Sequence, residues 1–178
     1  MLEKIKMLKR YIDDLEFDKA RKLWKEISPN FELVKQEYCD GPFVGFERIY
    51  RHKDYFIKTS EIFRKPTDSE FTVSVDDAWE IKGYSLIEKA IKELKTEFTI
   101  TIAPQYSGAV FFEKGDCNEF YCDYEEYAYL YDRNNEDWVL MPNTFGEPEI
   151  FRENCVLSSD EMVKFIKELS EKYNKKAA

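Results

Sequence analysis

The chain has 178 residues, 43% apolar, 35% charged and 16% aromatic, with a formal net charge of −9. That composition is globular, not disordered, and the length suits one domain or a core domain with a small appendage. No apolar run reaches the roughly 18 residues a membrane span needs, and charges interrupt MLEKIKMLKRYIDD, so neither a membrane span nor a signal-peptide h-region is expected and the cytosol is the expected compartment.

Two helical stripes open the chain. Ile5, Leu8, Ile12 and Leu15, then Ala20, Leu23, Trp24 and Ile27, recur at three- and four-residue steps. They predict an αα-hairpin over residues 1–28, with LEFD as its turn, Asp18 as a cap and Pro29 as its stop. The hairpin is expected to lay its apolar stripe on an α+β core formed by residues 29–178. GFERIY, DYFIKTSEIF, FTVSV and AWEIKGY then read as strands, rich in β-branched and aromatic residues. Ser85 with Glu88 three residues on forms a capping-box pattern, and Leu86, Ile87, Ala90, Ile91 and Leu94 form the stripe of the helix that follows.

FTITIA (98–103) and AVFFEK (109–114) continue the strands around a turn at Pro104–Gly108. A long strand is expected from Glu119 to Tyr131, and a loop at Arg133–Glu136 leads into a return strand, Trp138–Met141. Ser158 and Glu161 make a second capping box, and Met162, Phe165, Ile166, Leu169 and Tyr173 line the last helix. Hairpin-sized neighbours favour an α+β fold with a mostly antiparallel sheet, helices on one face and the αα-hairpin in front.

The charge is uneven. Residues 113–161 hold three Lys/Arg against fourteen Asp/Glu, a net −11 that exceeds the total for the chain. Within them EFYCDYEEYAYLYDRNNEDW carries seven acids and seven aromatic residues in twenty positions. Alternation along a strand places Phe120, Cys122, Tyr124, Glu126, Ala128, Leu130 and Asp132 on one face, its two acids being exceptions to an otherwise apolar set, and Glu119, Tyr121, Asp123, Glu125, Tyr127, Tyr129 and Tyr131 on the other. The first set reads as core. The second, with no aliphatic residue, reads as a solvated face: rigid tyrosines for contact area, carboxylates to steer and pair Lys or Arg of a partner. The alternative is that Tyr127, Tyr129 and Tyr131 pack under a helix. A bulge would also swap the faces beyond it.

Chemistry is harder to find. Cys39, Cys117, Cys122 and Cys155 lack C-x-x-C spacing, and with a single histidine they are expected to be free thiols and not a zinc site. His52, near Asp54, has no placed nucleophile. Asp116, Glu119, Asp123, Glu125 and Glu126 lack the loop pattern of a calcium site. Asp77, Glu80 and Lys82 in VDDAWEIKGY resemble the PD-(D/E)-x-K nuclease core, which implies a divalent metal held by carboxylates and a lysine that helps activate water. An acidic chain, however, repels a phosphate backbone, so neither nucleic acid nor a cofactor is expected. In its acidity, size and EFYCDYEEYAYLYDRNNEDW type of surface the chain is similar to the bacterial immunity proteins that neutralise secreted toxins. That resemblance implies a non-enzymatic, cytosolic inhibitor of bacterial or phage origin that covers the surface of a basic toxin or enzyme. Two readings stay open beside it, the metal-dependent nuclease and an interaction module that binds through the helical hairpin.

Overall fold

The computed structural model describes residues 1–40, 44–63, 72–94, 96–114, 117–118, 121–122, 125–142 and 149–173. The two apolar stripes at the start of the chain become α1 (Leu2–Asp13) and α2 (Phe17–Ile27). Between them Leu15 takes φ 59° in the turn and is exposed, so the stripe of α1 ends before it. A single 3-10 turn, Ser28–Asn30, leads into β1 (Glu32–Asp40), β2 (Val44–His52), β3 (Tyr55–Phe63) and β4 (Thr72–Glu80). These four strands pair in chain order, each neighbour antiparallel. TVSV (72–75) and the start of AWEIKGY are one strand and not two, bulged where Lys58 faces Asp77 and Thr59 faces Val75. Leu8, Ala20, Leu23, Trp24 and Ile27 pack against Ile57, Val75 and Ala78 of this sheet. The Trp24 ring stands edge-on to Phe31 at 5.3 Å and to Tyr50 at 5.0 Å.

The chain forms two compact units, Met1–Glu80 and Ile81–Ala178. The expected division into residues 1–28 and 29–178 is therefore not where the chain divides. The hairpin shares its core with β3 and β4, so it belongs with the first sheet.

In the second unit α3 (Tyr84–Glu93) precedes β5 (Thr99–Ala103), β6 (Ala109–Lys114), the short pair β7 (Cys117–Asn118) and β8 (Tyr121–Cys122), then β9 (Glu125–Asp132) and β10 (Asp137–Leu140). A single turn α4 (Glu149–Arg152), β11 (Val156–Leu157) and α5 (Ser159–Lys172) complete it. Five strands form an antiparallel sheet in the order β11-β10-β9-β6-β5. α5 packs on β10 and β11, and α3 packs on α5 and β5. The expected capping box holds at α5, where Ser158 Oγ accepts from the Glu161 amide and the Glu161 carboxylate accepts from the Ser158 amide. It fails at α3. That helix starts from Gly83 at φ 72° with no side-chain cap, because the chain there passes so close to α5 that a Cβ would lie 2.6 Å from Ser159 Cβ. Leu86, expected in the buried stripe, is exposed. Among the described residues no helix is long and apolar enough to cross a membrane.

Candidate protein-binding interface

The expected binding face of the tyrosine-rich segment is turned the other way in its described part. Tyr127, Tyr129 and Tyr131 are 3%, 0% and 5% exposed. Tyr121 lies in β8 and Glu125 in β9, their side chains outside the described set; Glu119 and Asp123 are outside it altogether. Among the described residues of this stretch, Tyr121–Cys122 pair with β7 and β9 covers Glu125–Asp132.

The correction has a packing cause. β9 runs between β6 and β10, and directly opposed residues share a face. Phe112 faces Tyr127, Val110 faces Tyr129, and Trp138 faces Tyr131. That row lies under α4 and α5. Phe151 stacks on Tyr127 at 4.2 Å, and Phe165 stands edge-on to Tyr129 at 5.8 Å and to Phe112 at 5.6 Å. A layer between a sheet and a helix needs bulky side chains, which the tyrosines supply and Ala128 does not. Two of their hydroxyls bond to the backbone. Tyr129 donates to the Asn154 carbonyl at 2.8 Å, and Tyr131 accepts from the Lys82 amide at 3.1 Å. Trp138 Nε1 donates to Ser159 Oγ at 3.0 Å, and Ser159 in turn donates to the Lys82 carbonyl.

The opposite face of the same sheet then carries Ala128 and Leu130, which the alternation reading placed inside. Val156 faces Val139, Val139 faces Leu130, and Leu130 faces Ala109; one step along, Ala128 faces Phe111. Val139 is 38% and Val156 56% exposed, with Leu130, Ala128 and Phe111 half-buried. Two pairs of opposed acids bracket this apolar strip. Glu113 faces Glu126 at one end, and Asp132 faces Asp137 at the other. Like charges directly opposed on a sheet are unfavourable. The Asp132 carboxylate accepts from the amides of Asn134 and Asn135 and from the Asn135 side chain, and those bonds hold its pKa below the usual carboxylate range. Asp132 thus stays charged although it faces another acid. On the first sheet Glu37 also faces Glu47, with Lys35 at 2.6 Å from Glu37 and Lys58 at 2.9 Å from Glu47.

Phe111, Ala128, Leu130, Val139 and Val156 were missed because strand alternation separates two faces without saying which is covered. The signal that could have found them is DWVL: its Trp138 and Leu140 alternate with Asp137 and Val139, which aligns Val139 with Leu130 across the turn.

The other sequence candidates are accounted for separately. His52 Nδ1 donates to the Asn30 carbonyl at 3.0 Å, and its ring lies 5.5 Å from Phe31, so it braces the turn after α2. Asp77 accepts from the amide of Ala78. The Lys82 ammonium is ion-paired with Glu136. Cys39 and Cys155 are free thiols, Asp116 is not described, and among the described residues no group of three or more His, Cys, Asp or Glu is placed to hold a metal ion. A groove of about 440 Å³ between α3 and α5 has a rim that mixes Lys89, Lys164 and Lys167 with Glu93 and Asp160 and selects no single charge. Comparisons with protein-family models, with curated proteins and with solved structures find no match.

Proposed function

We propose that this chain is a non-enzymatic binding protein that grips a basic protein with the outward face of its second sheet, in the manner of an immunity or inhibitor protein. The observation that carries this reading is the apolar strip through Leu130, Val139 and Val156, closed at both ends by opposed carboxylates. Val139 and Val156, exposed and opposed across β10 and β11, supply apolar contact area that water does not reward. Carboxylates at both ends of the strip attract and orient Lys or Arg of a partner. The excess of acid in residues 113–161 adds long-range steering toward such a partner and away from nucleic acid.

The test compares immobilised wild type with a Glu126→Lys/Asp137→Lys variant against the same cell lysate. A basic protein held by the wild type, released as salt rises, and bound roughly 100-fold more weakly by the variant supports the interface. Equal retention by both, or no basic protein retained by the wild type, contradicts it. If that protein is an enzyme whose activity falls when bound, the inhibitor reading stands over a scaffold role.

A further inference from the structure

A nine-residue strand at the rim of a sheet offers a row of unpaired main-chain donors and acceptors, and proteins usually blunt such an edge. β1 is the end strand of the first sheet and pairs with β2 on one side. It holds no proline, and Leu33, Val34 and Tyr38 along it are exposed. Its one irregularity is a bulge between Leu33 and Lys35, near the start of the strand. The other rim of that sheet, β4, differs: α1 and α2 pack on it, and self-pairing there would set Asp76 and Asp77 against acids.

We propose that β1 pairs with β1 of a second copy of this chain, antiparallel and edge to edge about Gln36, joining two four-stranded sheets into one of eight strands. The charges select both partner and register. With the two-fold axis at Gln36, Lys35 of each copy faces Glu37 of the other, and Val34 of each faces Tyr38 of the other. Moving the axis to Lys35 sets lysine against lysine, and moving it to Glu37 sets glutamate against glutamate. Within Lys35–Glu37, only the central register turns both charges into attractions, and it does so twice because the contact is isologous. Lys35 and Glu37 already lie on one face, 2.6 Å apart, so pairing closes a ring of four alternating charges. Val34 is the bulge residue, without a partner in β2; it ends the regular stretch, so Glu32 falls outside the contact, which spans about five residues on each chain.

Sedimentation velocity of the full chain under reducing conditions tests this contact, with fold checked by circular dichroism. The wild type is expected to be dimeric at roughly 100 µM. Lys35→Glu and Glu37→Lys are each expected to raise the dissociation constant about tenfold or more, and the double reversal to restore it. In a background with all four native cysteines replaced by serine, Gln36→Cys should give a disulfide-linked dimer on oxidation, because position 36 lies on the axis. A monomeric wild type, single reversals without effect, or a double reversal as weak as the singles would each overturn the proposal.

Discussion

Tyr129 meets both requirements of a buried tyrosine. Its ring lies between Phe112 and Phe165, and its hydroxyl reaches the Asn154 carbonyl. Tyr129→Phe keeps the ring and removes that donor, so stability in urea should fall by about 1 kcal/mol. An unchanged midpoint would put the hydroxyl in water. In the sequence this residue could be read either way, because a phenol suits both a wet surface and a core with a backbone acceptor nearby. The acceptor lies in Asn154, twenty-five residues away, and no local pattern announces it. Tyr55 gives a second test at this scale. Burial, then its hydrogen bond to Glu80, pushes its pKa up to about 12 from an ordinary 10.0. A folded-state pKa above the unfolded value means the contribution is complete below pH 10 and fades as pH rises from 10 toward 12. Absorbance at 295 nm should therefore show high-pH tyrosine ionisation to which Tyr55 contributes, and Tyr55→Phe should reduce its amplitude by one tyrosine. A high-pH amplitude unchanged by Tyr55→Phe would count against the burial of Tyr55.

Helices were more legible than strands. Ser158 and Glu161 announce the start of α5, and Met162, Phe165, Ile166 and Leu169 announce its buried face, all as observed. Ser158→Ala should destabilise the chain by about 1 kcal/mol in thermal or urea melts. The Ser158 hydroxyl and amide hold the Glu161 pKa below the usual carboxylate range. That sign means the capping contribution is present above the ordinary Glu value and lost as pH falls through the lowered one. The difference between wild type and Ser158→Ala should accordingly narrow in acid; a constant difference would mean the box is not formed. α3 escaped this logic because tertiary closeness at Gly83, not a local cap, sets its start. β1 was passed over because ELVKQEYCD, solvated on both faces, has no apolar alternation to read.

At the scale of the whole molecule, the distribution of charge was legible and the facing of the sheet was not. Counting residues places the acid in 113–161, and the structure sets Glu113, Glu126, Asp132 and Asp137 of that segment on one outward face. The division of the chain was also illegible. AWEIKGY runs through the boundary at Glu80 and Ile81 without the Gly, Pro or Ser enrichment that marks a linker, whereas Pro29 marks a turn inside the first unit. The binding reading depends on which side of β9 is sealed. Urea denaturation of two single variants, Tyr129→Ala and Val139→Lys, measures that directly. An inward Tyr129 predicts a loss of about 3–5 kcal/mol for the first, and an outward Val139 predicts less than about 1 kcal/mol for the second. The reverse order, with lysine at 139 ruinous and alanine at 129 harmless, would contradict it.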